Sequence, residues 1–278
     1  MMREEQQRPR IALVLGAGSA RGLAHIGVLQ VLNENNIPFD FIVGSSMGAM
    51  VGGIYAAGAN INMLDRMIEH MDTSLLFDIH VPRMGFIAGN RITSFLNLVT
   101  KKKSFGELDF PLLATATDLL TGKRVIMEEG SVADAIRASI SIPGVFTPVK
   151  RDGMILVDGA VADRLPIEVA RSRGASLVIA VDVTFSEGKQ TNIKNALDVI
   201  LASLDIMGKQ QFDLVHPQSD ILIQPRVNSY SPRDFEKSRE IVDLGREATE
   251  AKLDEILAKI AEATFLIRSG DSNKINNC

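Results

Sequence analysis

The sequence predicts an α/β protein: a three-layer α/β/α sandwich with a mostly parallel central sheet. Short apolar runs alternate along the chain with longer stretches that have helical periodicity. The runs at 11–15 and 177–183 are rich in aliphatic and β-branched residues, as expected of strands that are buried on both faces. With 278 residues, of which 46% are hydrophobic and 23% charged, the chain has enough apolar material for one α/β domain.

The predicted domain covers residues 11–268. We expect its core at 11–183 and a mainly helical part at 192–268. Residues 1–10 are polar and charged, and residues 269–278 continue no apolar pattern, so both ends are expected to be flexible. No internal repeat is found, which excludes a solenoid or propeller.

The N-terminal elements form a predicted βαβα unit. The apolar run Ile11–Leu15 is followed by a glycine-rich loop and then by residues 23–35, which have apolar positions on one helical face. A second apolar run at 39–43 leads through a sharp Gly/Ser turn into a helix of small residues at 47–57. Parallel strands joined in this way need a right-handed crossover.

The rest of the chain supplies further predicted strands and helices. Asp152 and Gly153 suit a type I′ turn between two short strands. The predicted strands are 112–117, 124–127, a strand at Val149, 154–157, 177–183 and 220–223, and the predicted helices are 131–139, 193–215 and a long amphipathic helix, with a break allowed, at 234–267.

Charge and cysteine content exclude several classes of protein. A net charge of -4 gives no overall attraction to phosphate, so we expect no nucleic-acid partner. Cys278 is the only cysteine, so neither an intramolecular disulfide nor a thiolate metal cluster is predicted. The polar residues 1–10 do not resemble a secretory signal, and we expect a cytoplasmic protein.

One uncharged stretch has the length of a membrane span. Residues 41–62 are about as long as the ~20 residues that cross a bilayer, but they are glycine-rich. A buried strand, a turn and a buried helix explain the same residues better. Peripheral contact with the inner face of a membrane stays open.

The strongest motif is Gly44-Ser45-Ser46-Met47-Gly48, a G-x-S-x-G sequence between a predicted strand and a predicted helix. A nucleophilic serine on such a tight turn has a strained backbone, and glycines two positions before and after it relieve the contact between strand and helix. This frame selects Ser46 over Ser45 as the nucleophile. The alternative is a Gly/Ser packing turn without catalytic function.

A second motif lies between the first predicted strand and the first predicted helix. Main-chain N–H groups at such a position can bind negative charge, either a dinucleotide phosphate or the oxyanion of an acyl-transfer intermediate. The dinucleotide pattern needs glycine where Arg21 stands, and Asp40 precedes its strand, so the oxyanion interpretation is favoured. The motif consists of Gly16, Ala17, Gly18, Ser19, Ala20, Arg21 and Gly22.

The serine needs a base, and the histidines are weak candidates. His216 follows Ser46 and Asp158 in the order of an α/β-hydrolase triad, but that fold places several strands before its nucleophile and only one is predicted here. His25 is expected to be a buried structural histidine near the glycine-rich loop. The remaining imidazoles are His70 and His80.

Asp158 is the favoured base among the carboxylates. It ends an apolar strand and is followed by Gly159 and Ala160, so its side chain is expected to face a cleft. Partial loss of solvent would raise its pKa and suit it to accept the hydroxyl proton. The alternative is a turn aspartate that ends a strand. Rival carboxylates are Asp118, Asp163 and Asp182.

Together these segments resemble the patatin-like phospholipases, and they are most similar to the bacterial branch and to the catalytic domain of neuropathy target esterase. The resemblance runs from about residue 11 to 183 and includes the connecting segments 24–29 and 139–146. It implies a patatin-like fold and a catalytic dyad of Ser46 and Asp158 without histidine.

The resemblance also implies the other parts of the site. The Gly18 and Ser19 N–H groups would hold the oxyanion, and the substrate would be a lipid or acyl ester. Arg21 would support the loop or stabilise negative charge nearby. No metal or organic cofactor is implied. The family's loop is usually G-G-G-x-R-G, and here Ala17 and Ser19 replace two glycines, which disfavours Ser19 if its position needs positive φ.

Several questions stay open at the level of sequence. A non-catalytic scaffold on the same fold and an acyltransferase are alternative functions, and the sequence predicts no oligomeric state. Residues 75–88 and the helix from Ile193 are candidates for a lid or a membrane-facing surface, although core packing is the simpler interpretation. Lys101, Lys102 and Lys103 either meet anionic head groups or form a solvated loop.

Overall fold

The computed structural model describes residues 8–76, 85–184, 193 and 196–269, with the side chains of residues 73, 74, 85, 86, 196 and 197 left out. The strands are β1 (Ile11–Leu15), β2 (Phe41–Ser45), β3 (Gly85–Ile87), β4 (Leu112–Asp118), β5 (Arg124–Met127), β6 (Gly144–Phe146), β7 (Val149–Arg151), β8 (Met154–Asp158), β9 (Leu177–Val181) and β10 (Ile221–Ile223). The helices are α1 (Ala24–Glu34), α2 (Met47–Ala56), α3 (Ile61–His70), α4 (Asn90–Val99), α5 (Val132–Ser139), α6 (Ile167–Ser172), α7 (Ala196–Val215), α8 (Ser238–Glu250) and α9 (Leu253–Arg268).

The central sheet is mixed, with a parallel half and an antiparallel edge. Within the described residues it has eight strands, in the order β10-β9-β1-β2-β4-β8-β7, with β5 also paired to β4. The pairings from β10 to β4 are parallel, whereas β5, β8 and β7 are antiparallel to their partners. Helices cover both faces, and the predicted α/β class is confirmed.

Alternate side chains of β1 show the layers directly. Ile11, Leu13 and Leu15 pack into one buried cluster with α1, α2 and α8, while Ala12 and Val14 pack into another with α6 and Phe212 of α7. A strand with both faces buried is the expected centre of a three-layer sandwich.

Most element boundaries lie within two or three residues of the predicted ones. Residues 41–62 fold as β2, a turn, α2 and the start of α3, so the strand-turn-helix interpretation is confirmed. Asp152 and Gly153 both have positive φ (49° and 78°), as a type I′ turn requires. The long C-terminal helix is broken between α8 and α9.

Other predictions fall partly outside the described residues. Of the apolar stretch 75–88, residues 77–84 lie outside, as do most of the predicted flexible ends. In the part of the chain that the structure describes, no helix is long and apolar enough to cross a bilayer.

Candidate active site

Ser46 lies on a strained turn between β2 and α2. Its backbone has φ 53° and ψ -120°, a conformation that non-glycine residues rarely adopt and that costs on the order of 1–3 kcal/mol. A Cβ on Gly44 would lie 2.5 Å from the Cα of Ala49, and a Cβ on Gly48 would lie 2.0 Å from the carbonyl oxygen of Leu15. Both glycines of the motif are therefore needed for steric reasons.

Strand β4 brings Ser46 and Asp158 together, although they are 112 residues apart. Ser45, at the end of β2, pairs with Thr115 of β4, and Asp158, at the end of β8, pairs with the next residue, Ala116. Strand β2 runs parallel to β4 and β8 runs antiparallel to it, so the two strands approach the middle of β4 from opposite ends. Their carboxyl ends therefore meet there.

The two side chains form a short hydrogen bond. Ser46 Oγ donates to Asp158 Oδ2 at 2.6 Å, and the other carboxylate oxygen accepts from the Ala160 N–H at 2.8 Å. Ser46 is 5% exposed and Asp158 is 3% exposed, so the carboxylate is held in a site with little solvent. This geometry suits proton transfer from the hydroxyl to the carboxylate.

Burial raises the pKa of the Asp158 carboxyl from its usual 3.8 to about 6. The hydrogen bonds from Ser46 and Ala160 and the positive charge of Arg164 act in the opposite direction, but loss of solvent is the larger effect. A carboxylate with this pKa is mostly ionised at neutral pH, and it is a stronger base than an exposed aspartate.

The segment that follows α5 holds both residues by the main chain. The Ser46 N–H donates to Ser139 Oγ at 2.9 Å, and the Asp158 N–H donates to the Ser141 carbonyl at 2.9 Å. Sequence reasoning noted this segment only as a family connection and missed its function as a clamp. Only Ser139 acts through its side chain; Ser141 contributes a main-chain carbonyl, which no residue type marks in the sequence.

Two residues of the glycine-rich loop that line the site, Gly18 and Ser19, have main-chain donors without an acceptor among the described residues. Gly16 N–H donates to Val181 O at 3.0 Å, and Ala17 N–H donates to Arg164 O at 3.0 Å, so both are already used. Among the described residues no acceptor is found for the N–H groups of Gly18 and Ser19, which precede the first hydrogen bond of the 3-10 turn Ser19–Leu23. Ser19 has φ 50°, the left-handed conformation that favours glycine.

Other glycines of the motifs are required by close packing. A Cβ on Gly18 would lie 2.4 Å from Val183 Cγ2, and one on Gly22 would lie 2.5 Å from Met47 Cγ. Gly159 faces the Thr115 carbonyl, which a Cβ would approach to 2.5 Å. These contacts hold the loop, the serine turn and the aspartate segment against one another.

Arg21 belongs to a buried ion-pair network that the sequence did not reveal in full. Arg21 Nη2 lies 3.0 Å from Asp205 Oδ2, and Arg164 Nη2 lies 3.0 Å from Asp205 Oδ1. All three side chains are at most 8% exposed. Arg21 was predicted to support the loop, but Arg164 and Asp205 were missed because no local pattern marks them.

The described histidines lie outside the Ser46–Asp158 contact. His25 is buried and its Nε2–H donates to the Gly16 carbonyl at 2.8 Å, while burial lowers its pKa from 6.5 to about 4. His216 Nδ1 contacts the Phe212 carbonyl, and His70 Nδ1 contacts the Arg66 carbonyl. His80 lies outside the described residues.

The other carboxylates considered as the base each form hydrogen bonds or ion pairs with residues other than Ser46. Asp118 accepts from the Thr121 hydroxyl and from main-chain N–H groups, which lowers its pKa. Asp163 pairs with Arg124, and Asp182 accepts from the Thr184 N–H and from Gln224. Ser45, the rival nucleophile, donates to the Asp163 carbonyl at 2.8 Å.

A pocket opens over the two central side chains. Its lining comes from the glycine-rich loop, from α7, from residues after β8 and α5, and from Pro232. It is lined by Ala17, Gly18, Ser19, Arg21, Ser46, Ile142, Asp158, Ala160, Val161, Arg164, Leu201, Leu204, Asp205 and Pro232.

The chain is similar to proteins of one family over most of its length. The patatin-like phospholipase family model matches residues 13–171. An uncharacterized NTE family protein of Mycobacterium tuberculosis is 42% identical over 186 residues, which are 64% of this chain and 50% of that protein. Patatin-like phospholipase domain-containing protein 7 of Rattus norvegicus is 30% identical over 269 residues, 84% of this chain and 20% of that protein.

The chain thus spans half or less of the length of these relatives. Among solved structures, VipD from Legionella pneumophila superimposes with a TM-score of 0.62 at 15% identity, covering 90% of this chain and 67% of that one. At that identity the likeness concerns the fold alone.

Proposed function

The chain belongs to the patatin-like phospholipase family, and from that premise we propose that it hydrolyses lipid-like acyl esters, with Ser46 as nucleophile and Asp158 as the only side-chain base. The observation that carries the proposal is the 2.6 Å hydrogen bond that Ser46 Oγ donates to the buried Asp158 carboxylate. Ser46 itself lies on a strained turn. A serine with no such acceptor is a poor nucleophile.

The proposed reaction has two steps. Ser46 Oγ attacks the ester carbonyl carbon while its proton moves to Asp158 Oδ2, and the tetrahedral intermediate collapses to an acyl-serine. The leaving alcohol takes the proton from Asp158. A water molecule then attacks the acyl-serine, gives a proton to Asp158, and the proton returns to Ser46 Oγ as the fatty acid leaves.

The oxyanion donors are assigned to the main-chain N–H groups of Gly18 and Ser19. The resemblance implied these two donors within the longer loop, and the use of the Gly16 and Ala17 N–H groups by other carbonyls supports the assignment. Main-chain donors fixed in place before the reaction stabilise the developing charge without reorganisation. Removing one such donor typically costs about 100- to 1,000-fold in kcat.

The apolar pocket walls support an acyl chain as the part of the substrate that is bound. Ile142, Leu201 and Leu204 line the pocket beside Ser46. Burial of each methylene of a chain against such walls contributes about 0.8 kcal/mol. Hydrolysis, with water as the acceptor, is proposed over acyl transfer, and product analysis with added alcohols separates the two.

The direct test uses two variants and a neighbouring serine as the control. Ser46→Ala and Asp158→Asn should each lower the hydrolysis of short acyl nitrophenyl esters by about 1,000-fold or more, because each removes one half of the proton transfer. Ser45→Ala removes a hydroxyl that donates to the Asp163 carbonyl and should keep activity within a few-fold. Turnover unchanged in either dyad variant would end the assignment and favour a non-catalytic scaffold.

A membrane contact is proposed for the outer face of α7. Val199, Ile206, Met207 and Leu214 are 51, 71, 65 and 76% exposed, and they lie on the side of the helix opposite Asp205. An exposed apolar face on a helix that also lines the pocket suits contact with a lipid surface. Lys101 contacts the Gly58 carbonyl and Lys103 contacts Asp109. These contacts favour a structural role for the two lysines over binding of anionic head groups.

Flotation with phosphatidylcholine vesicles tests this contact. Leu214→Ser should weaken binding by about tenfold, since a lost leucine contact is worth about 1.5 kcal/mol or more. Leu98→Ser is the matched control, because Leu98 of α4 is also 76% exposed. Equal flotation of both variants with the unsubstituted protein would remove the proposed role of α7.

A further inference from the structure

We propose that Asp205 of α7 is a positioning residue for this reaction: its carboxylate ties together the two flanks of the Gly18–Ser19 segment and offsets the charge of Arg164 beside the base. The inference rests on the proposed function of Ser46 and Asp158. It assigns a task to a residue that neither the serine motif nor the aspartate motif contains.

The first flank of the segment is Ala17, which Arg164 holds from both sides. The Ala17 N–H donates to the Arg164 carbonyl at 3.0 Å. The Ala17 carbonyl accepts from the Thr184 hydroxyl at 2.8 Å, and that hydroxyl accepts in turn from Arg164 Nη1 at 3.2 Å. The position of the Arg164 side chain therefore fixes the peptide that precedes Gly18.

The second flank is formed by Ala20 and Arg21. The Ala20 N–H donates to the Pro232 carbonyl at 3.1 Å, and Arg21 Nη2 donates to Asp205 Oδ2 at 3.0 Å. The other oxygen of the same carboxylate, Oδ1, lies 3.0 Å from Arg164 Nη2. A single carboxylate thus joins both flanks of Gly18 and Ser19, the two residues to which the oxyanion donors are assigned.

The same carboxylate sets the local charge. Arg21 and Arg164 each carry a positive charge, and the Asp205 carboxylate lies 3.0 Å from each of the two guanidinium groups. Arg164 is close enough to Asp158 for its charge to lower the pKa of that carboxyl. Loss of the Asp205 negative charge would make the electrostatic field of Arg21 and Arg164 at the base more positive, which favours the ionised form of Asp158.

Among the described residues, the neighbouring charged groups have contacts of their own. Arg137 of α5 donates to the Ser141 hydroxyl and to the Ala88 and Thr147 carbonyls. Further contacts of described residues on the other elements around the site join Arg124 to Asp163 and Glu168, Thr121 to Asp118, Gln224 to Asp182, Arg233 to Asp198, Lys209 to Asp213, and His25 to the Gly16 carbonyl.

The experiment compares the pH dependence of kcat/KM for Asp205→Asn with that of the unsubstituted protein. The substrate is a short acyl nitrophenyl ester, and product is read at a wavelength where the absorbance does not depend on pH. The acidic midpoint should move down by roughly one unit from the Asp158 value of about 6. At about pH 5 the rate, as a fraction of its plateau, should then rise roughly fivefold.

The plateau itself should fall, because the oxyanion segment loses one anchor. We expect a loss of about tenfold or more in kcat with a smaller change in KM, since the donors act mainly in the transition state. Asp205→Glu restores the charge and should return the midpoint toward that of the unsubstituted protein, with partial recovery of kcat.

Asp198→Asn is the matched control. Asp198 lies on the same helix, its side chain is also 8% exposed, and it pairs with Arg233 at 2.8 Å, away from Arg21 and Arg164. It should leave the midpoint unchanged. An Asp205→Asn midpoint at or above that of the unsubstituted protein, or an equal shift in both variants, would overturn the inference.

Failure of the proposed function gives a different result. If the unsubstituted protein hydrolyses no ester, or if Ser46→Ala keeps its activity, the dyad is wrong and no Asp205 effect is defined. If hydrolysis depends on Ser46 and the Asp205→Asn midpoint stays in place, only the positioning role is wrong.

Discussion

Because the ionised Asp158 carboxylate is buried, the protein should be less stable than its Asp158→Asn variant, in which this side chain is uncharged. The folded pKa of Asp158 is about 6 against a usual value of 3.8, a difference of about two units. At about 1.4 kcal/mol per unit, keeping this group ionised costs the folded state about 3 kcal/mol at pH 8. Asp158→Asn removes that cost, and its amide can still accept from the Ala160 N–H and donate to Ser46 Oγ.

The sign of the pH dependence follows from proton binding. Between about pH 4 and 6 the folded state holds the Asp158 proton more tightly than the unfolded chain, so stability falls as pH rises through that window and the penalty is complete above it. The Asn variant lacks this dependence. Its advantage should therefore be about 3 kcal/mol at pH 8 and close to zero at about pH 4.

Thermal and denaturant unfolding at the two pH values provide the assay. For a chain of this length about 3 kcal/mol corresponds to a Tm increase of about 5 °C. Asp118→Asn is a control of opposite sign: hydrogen bonds, first from Thr121, lower the pKa of Asp118, so its loss should destabilise the protein at neutral pH. An Asp158→Asn variant that is less stable at pH 8, or equally favoured at both pH values, would refute the reasoning.

Three further substitutions test the surroundings. Ser19→Gly should raise stability by up to about 1 kcal/mol, because φ is 50° there, and should keep ester hydrolysis; a tenfold loss would mean that the hydroxyl is used. Ser139→Ala leaves the Ser46 N–H buried without its acceptor, so urea unfolding should show a loss of about 1–3 kcal/mol together with slower hydrolysis, and an unchanged protein would contradict this. In Gly27→Ala the new Cβ would lie 2.1 Å from the Val242 carbonyl oxygen, so α1 and α8 must move apart and the free energy of unfolding should fall by about 1–3 kcal/mol. An unchanged free energy of unfolding would show that the two helices can separate without loss of stability.

Local pattern was enough to predict the elements that carry the dyad. The G-x-S-x-G turn has its own steric signature at Gly44 and Gly48, and a strand followed by Asp158 and Gly159 is visible in one short window. Serine at position 19, where the family usually has glycine, was expected to be disfavoured if that position needs positive φ, and its φ is 50°.

The contacts between distant segments were not predictable from one sequence. Asp205 lies 184 residues from Arg21, and nothing around it in α7 distinguishes it from a solvated helix aspartate. The antiparallel pairing of β8 with β4 was not predictable for the same reason, since it depends on the tertiary structure and not on the residues of β8 itself. The use of the Gly16 and Ala17 N–H groups by other carbonyls likewise required the tertiary structure.

The rate of covalent labelling of Ser46 by a fluorophosphonate, measured across pH with the modified peptide identified by mass spectrometry, tests the central claim most directly. Labelling should occur at Ser46, rise with pH through a midpoint of about 6 as Asp158 ionises, and fall by orders of magnitude in Asp158→Asn. Labelling at another residue, or an Asp158→Asn variant that reacts as fast as the unsubstituted protein, would contradict it.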